Sequence, residues 1–238
     1  LELIAASRRS EETRKFLLAL TSGYNGRSPI EMKAHDPVNY VGDMLAFCFQ
    51  SCSVEADVAK GLVVVEDASE EDDEFGPVSS AGFMTADDIL SHAMSGLARP
   101  LKSRVLQVVA SLARRPDEDD GDEGDTTPLN DEDEDAIARS RVSSLYSICG
   151  LLLFYKSALQ KAVHKLSPNI SSTTPENPLV TSIEECLAET SQAYVASLKV
   201  YAAMLESLSL LSGDSEAILV QSMVERIAGV RVASPGFA

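Results

Sequence analysis

The chain has no tryptophan, only four cysteines and 5% aromatic residues among its 238 residues. It also has no long apolar run. Four cysteines in a chain of this length make no disulfide framework. Cys48 and Cys52 stand four apart, while Cys149 and Cys186 are isolated. A reduced compartment is the simpler expectation. The longest uninterrupted apolar stretch, Ile148 to Tyr155, is eight residues. A membrane span needs about 20, so no membrane helix is expected. The scarcity of aromatics and the prevalence of Leu, Ala and Ser disfavour sheet and favour helix. The first residue is Leu1 rather than Met, and no charged–apolar–small leader pattern follows. The expectation is a portion of a longer polypeptide.

Two stretches lack any Lys or Arg. Residues 66–75 hold seven acids and residues 117–135 hold twelve. The formal charge of −17 is therefore localised. The other 209 residues carry 18 acids and 20 bases, close to neutral. This excludes an acidic, solvating chain as a whole. It equally excludes a basic nucleic-acid-binding surface. With 45% apolar residues the body can fill a core.

Apolar spacing predicts six helices. The first covers about Glu11 to Thr21 and stops at the turn cluster Ser22-Gly23-Tyr24-Asn25-Gly26. A short extended segment, Ser28 to Met32, follows. The second has Asp36 as N-cap and Pro37 at its first position, where a missing N–H costs nothing. Its seam is Val38, Val41, Leu45, Cys48 and Cys52, and it runs to about Val64. The third opens on Thr85-Ala86-Asp87-Asp88, a capping box with Asp for Glu. It carries Leu90, Met94, Leu97, Leu101, Val105, Val108 and Leu112 on one face and ends near Arg114-Arg115-Pro116. Pro100 inside it predicts a kink or break near Ala98. The fourth spans about Glu134 to Lys165, with Leu145, Ile148, Leu152, Tyr155, Leu159 and Val163 in register. Leu151 to Phe154 widen that stripe, which predicts burial on more than one side. Residues 167–178 read as a linker. The fifth helix covers about Leu179 to Leu211 and a sixth about Ser215 to Val230, with 213–238 the least patterned part. Long helices and short links, without strand alternation, predict an all-α, elongated antiparallel bundle or rod in one fragment, 1–238. Segments 66–84 and 116–133 are expected to be disordered acidic loops.

Catalytic and ligand motifs are scarce. His35, His92 and His164 belong to no Glu-x-x-His or His-Glu-x-x-His unit. Cys48 and Cys52 are half a zinc site at most and read as small core residues. No phosphate-cradling glycine loop and no nucleophile elbow occurs. No catalytic, cofactor or metal residue is expected. Asn169-Ile170-Ser171 is a glycosylation sequon without a secretory route to use it. The acidic stretches lack the spacing of a calcium loop. They read first as solvated segments and alternatively as docking sites for a basic partner, with Ser69 a candidate for acid-directed phosphorylation.

The most specific residues are Pro29-Ile30-Glu31, His35-Asp36-Pro37 and Tyr40-Val41-Gly42-Asp43-Met44-Leu45-Ala46. With Gly96-Leu97-Ala98-Arg99-Pro100-Leu101-Lys102-Ser103-Arg104, they resemble subunit 6 of the conserved oligomeric Golgi complex, a vesicle tether. Weaker likeness continues through Leu145 to Tyr155 and Leu179 to Leu205, so it covers about residues 10–210. The acidic stretches are where the chain departs most from that family. The resemblance implies the central portion of a helical rod, non-enzymatic, on the cytosolic face of the Golgi membrane. It implies sister subunits, SNAREs and Rab GTPases as partners, and peripheral membrane association only through the complex. Pro29, Glu31, His35, Asp36, Pro37, Tyr40, Gly42, Asp43, Arg99, Pro100 and Lys102 are its motif residues. His35-Asp36 superficially suggests a general base, but capping is a sufficient role for Asp36. The competing readings are an acidic-loop scaffold or chaperone binding basic proteins, and a cofactor-holding helical bundle, which metal analysis would separate.

Overall fold

The computed structural model describes residues 1–67, 85–114, 131–164 and 177–212. Within them are five α-helices and one 3-10 turn: α1 Glu2–Thr21, the turn Ile30–Lys33, α2 Pro37–Asp67, α3 Ala86–Ala113, α4 Asp131–His164 and α5 Pro178–Ser212. The all-α expectation is met. The sixth helix, the sequon, Ser69 and most of both acidic stretches lie outside the described residues. α2 takes in Glu66 and Asp67, and α4 takes in Asp131 to Asp135.

Several boundaries differ from expectation, each for a physical reason. α1 begins at Glu2 rather than near Glu11. Residues 1–10 present no buried apolar seam, since Leu3 and Ile4 are exposed, yet Ala5 is fully buried and the Arg8 guanidinium bonds the Glu55 carboxylate on α2. Tertiary contacts hold this half of the helix where local pattern is weak. The expected extended stretch around Ile30 is instead the 3-10 turn. α3 runs unbroken through Pro100. Pro100 lacks the N–H that would bond the Gly96 carbonyl, a loss of about 3 kcal/mol in a helix interior. Leu97, Leu101 and Val105 are buried on either side of it. Each such side chain contributes about 1.5–3 kcal/mol, which outweighs the break. On α4 the widened stripe does not bury on several sides. Leu152 is buried, but Leu153 and Phe154 are exposed, Phe154 to 65%.

Residues 167–178 do not all link. Asn177 and Pro178 start α5: the Asn177 side-chain oxygen accepts the Leu179 N–H at 3.0 Å, and Pro178 is the first helical residue. This is the same device as Asp36-Pro37. The capping box at α3 is present as read. The Thr85 N–H and hydroxyl donate to the Asp88 carboxylate at 2.9 and 2.8 Å, and the Asp88 N–H returns to the Thr85 hydroxyl at 3.2 Å.

The fold divides into two compact units. The first comprises Leu1–Arg104 and Leu152–Glu185. Its core holds Phe16 and Leu20 from α1, Met44, Leu45 and Cys48 from α2, Met94 and Leu97 from α3, and Ile183 from α5. The second comprises Val105–Leu151 and Cys186–Ala238. Its described core is Val142, Tyr201 and Leu205, with Ala138, Tyr194, Leu198 and Met204 packed against it. The Tyr146 and Tyr194 rings lie 5.8 Å apart. Along α5 the seam skips from Leu187 to Tyr194; Thr190 fills the gap, fully buried, its hydroxyl donating to the Cys186 carbonyl at 2.6 Å.

By length and composition alone, the Glu134–His164 part of α4 is apolar enough to cross a membrane. The run-length criterion passes it over because Ser143, Ser144, Ser147 and Lys156 interrupt the apolar residues. Its Val142, Leu145, Ile148, Leu152 and Leu159 are buried.

Candidate functional site

A groove of about 740 Å³ opens in the first unit between α1, the Tyr24–Lys33 connection and α2. Its making starts at the end of α1. Ser22 and Gly23 N–H groups both bond the Leu18 carbonyl, at 2.9 and 2.8 Å, and close the helix. Gly23 takes φ +88°, a conformation that L side chains rarely adopt. A Cβ there would lie 2.3 Å from the Arg27 carbonyl oxygen. Asn25 at φ 51° and Gly26 at φ 75° complete the reversal. The Arg27 N–H donates to the Tyr24 carbonyl at 3.0 Å. The chain then returns along α2 through Pro29 and the 3-10 turn.

Apolar and charged groups share the lining. Ala19, Ile30, Ala46, Phe47 and Val54 supply the apolar part. Phe47 is held between Phe16 and Tyr24, with ring centroids 5.5 and 6.2 Å away. Val54 is 59% exposed. Glu12, itself buried, accepts from Lys15 at 2.6 Å, and Asp43 accepts from Lys33 at 2.6 Å. Bonding to Glu12 raises the Lys15 ammonium above its ordinary value.

The motif residues do not converge on one chemical centre. They join elements of the unit to one another. Pro29 caps the 3-10 turn and lines the groove. Glu31, in that turn, pairs with Arg104 of α3 at 2.8 Å. Asp43 ties α2 to the turn through Lys33. Lys102 of α3 reaches Glu185 of α5 at 2.7 Å, and Lys156 of α4 reaches Glu184 at 2.6 Å. Tyr40 is buried, and burial pushes its hydroxyl up while Arg104 pulls it down. Gly42 and Pro100 are half-buried in their helices, and Arg99 is exposed on α3.

His35 and Asp36 do separate local jobs. The exposed His35 ring bonds the Met32 carbonyl, Nδ1 at 3.1 Å. Asp36 accepts the Asn39 backbone N–H at 3.1 Å and its side-chain amide at 2.5 Å. The Asn39 backbone bond, then its side chain, holds the Asp36 carboxyl below its ordinary range. That is an N-cap. His92 sits exposed on α3 and His164 at the end of α4. Cys48 and Cys52 are buried thiols; desolvation pushes both up, Cys52 to about 12. They pack as small apolar residues, not as thiolates. Among the described residues no three His, Cys, Asp or Glu side chains group as metal ligands.

Two features escaped sequence reasoning. The Arg8–Glu55 pair required a helix over residues 2–10, which local pattern did not support. Gly96, read from the sequence only as the first residue of the Gly96–Arg104 stretch, marks where α1 crosses α3. A Cβ there would lie 2.2 Å from the Thr13 hydroxyl and 3.0 Å from the Arg9 carbonyl.

Fold and site together define a helical-bundle segment whose distinctive residues bind its own helices to each other. Comparison with known proteins makes this specific. Residues 1–216 match the family described as Conserved Oligomeric Golgi complex subunit 6, C-terminal, and the chain belongs to that family. It is 29% identical over 209 residues to conserved oligomeric Golgi complex subunit 6 of Bos taurus, covering 86% of this chain and 24% of the relative. The Cryptococcus neoformans subunit 6 is 34% identical over 114 residues, 47% of this chain and 15% of the relative. That of Arabidopsis thaliana is 33% identical over 104 residues, 41% and 15% respectively. The chain thus spans a quarter or less of these relatives. The family match extends beyond the expected 10–210 to take in the start of α1. No solved structure matches the chain.

Proposed function

We propose that the chain works as a non-catalytic helical scaffold within a subunit of the Golgi vesicle-tethering complex. In this reading it contributes to intra-Golgi retrograde transport, and so to retention of Golgi enzymes and to glycosylation. The observation that carries the reading is the family match over residues 1–216. The fold supports it. The residues that carry the sequence resemblance make cross-helix ion pairs, an N-cap and core contacts, the parts a scaffold needs. Sister subunits are the proposed primary partners, with SNAREs and Rab GTPases as further ones. The proposed location is the cytosolic face of the Golgi membrane, reached peripherally through the complex. Long amphipathic helices suit lateral bundle contacts with such partners.

The test is affinity purification of the tagged whole subunit from its source cell. Recovery of the sister subunits supports the role. Recovery of the subunit alone, with Golgi enzymes normally retained after its deletion, refutes it.

A further inference from the structure

We propose that the groove between α1, the Tyr24–Lys33 connection and α2 docks a short acidic, apolar-bearing segment of a partner protein. The argument rests on the groove alone and does not depend on the scaffold role.

The charge balance of the lining points to an acidic occupant. Both of its carboxylates are already engaged, Glu12 by Lys15 and Asp43 by Lys33, each at 2.6 Å. Arg27 remains. It is exposed at the groove, and among the described residues no carboxylate pairs with it. A basic segment would face Arg27 and find both acids taken. An acidic segment gains a guanidinium, the side chain best suited to a two-point carboxylate contact.

Arg27 is also firmly placed. It follows Asn25 and Gly26, both of positive φ, and its own N–H is bonded to the Tyr24 carbonyl. The Arg27 carbonyl sits where any side chain at Gly23 would be. A cation on so constrained a turn loses little backbone freedom on binding. In the same groove, Phe47 is fixed by two aromatic neighbours and Val54 is left 59% exposed. Together they offer an apolar seat in the groove that Arg27 also lines. A volume of about 740 Å³ falls in the range of sites that enclose a few side chains.

The experiment is selection of short random peptides displayed against the chain, with anisotropy titration of the enriched ones. The expected sequences place Asp or Glu beside Leu, Ile or Phe. Arg27→Glu and Val54→Asp are each expected to weaken them about tenfold, a loss on the scale of one charged hydrogen bond. Both positions are exposed, so circular dichroism should show unchanged helix; Arg27→Gln and Val54→Ser are the milder second pair. Enrichment of sequences without acids, binding indifferent to these substitutions, or no enrichment would each overturn the proposal. Self-association of the chain that the same variants abolish would assign the groove to a second copy and overturn it too.

Discussion

Both units have an apolar core, and among the described residues the first adds ion pairs between its helices. In the first, residues distant in sequence meet as ion pairs: Arg8 with Glu55, Glu31 with Arg104, Lys33 with Asp43, Lys102 with Glu185, and Lys156 with Glu184. In the second, the described core is an apolar and aromatic cluster around Val142, Tyr201 and Leu205. Apolar burial is strong but indifferent to direction. Charge pairs add little energy at a surface, yet they specify which helix meets which and in what register. The first unit also contains all eleven residues, Pro29 to Lys102, proposed as motif positions from the sequence. There, specific pairing is what the sequence invests in.

Substitutions can break or sharpen that contrast. The largest effect is expected in the second unit, where Tyr201→Ala empties a fully buried site. A loss of about 3–5 kcal/mol, read by chemical denaturation, is the outcome for a large aromatic removed from a core. In the first unit, Arg8→Ala strands Glu55, which is only 3% exposed. A loss of about 3 kcal/mol follows from a buried carboxylate without its partner. The double change Arg8→Met with Glu55→Met should recover much of it. Gly96→Ala ranks next. In an ordinary helix interior this change stabilises by about 1 kcal/mol. Here the added carbon meets Thr13 and Arg9, so a destabilisation of about 1–3 kcal/mol is expected from overpacking. Stabilisation instead would refute the close crossing of α1 and α3.

Smaller effects compare the two Asx-Pro helix starts. Asp36→Ala and Asn177→Ala should each cost about 1 kcal/mol at neutral pH. Their pH dependence should differ. The Asp36 carboxyl is lowered in the folded state, so its contribution is complete above the unfolded value and fades as pH falls through the lower, folded value. The cost of Asp36→Ala should therefore shrink in acid denaturation series below the ordinary Asp range, while that of Asn177→Ala, a neutral cap, should stay constant. Smallest of all, Lys33→Ala should cost under about 1 kcal/mol, and less still in high salt, because both partners are half exposed.

What the sequence made legible follows the same division. Helix starts marked by capping chemistry were readable: Asp36-Pro37 and Thr85 to Asp88 are local signals, complete within four residues. So were the seams of α2 and α3, since burial repeats with the helical period. Asn177-Pro178 carried an equal signal but was absorbed into a polar run read as linker. The start of α1, the groove and the Gly96 crossing were not legible. Each depends on residues tens of positions apart, such as Arg8 and Glu55, whose encounter no local pattern announces. The wide stripe of α4 misled for a related reason. Leu153 and Phe154 are apolar, but apolar character alone does not say that a neighbour is present to cover them.

The charge of the chain bears on the central claim that the near-neutral helical body, not the acidic stretches, does the work. The most direct measurement is made on the whole subunit with residues 68–75 and 117–130 deleted, leaving the described helices intact. Co-purification with the sister subunits should persist at the parental level. Loss of the sister subunits on that deletion would contradict the account and assign the working surface to the acidic stretches.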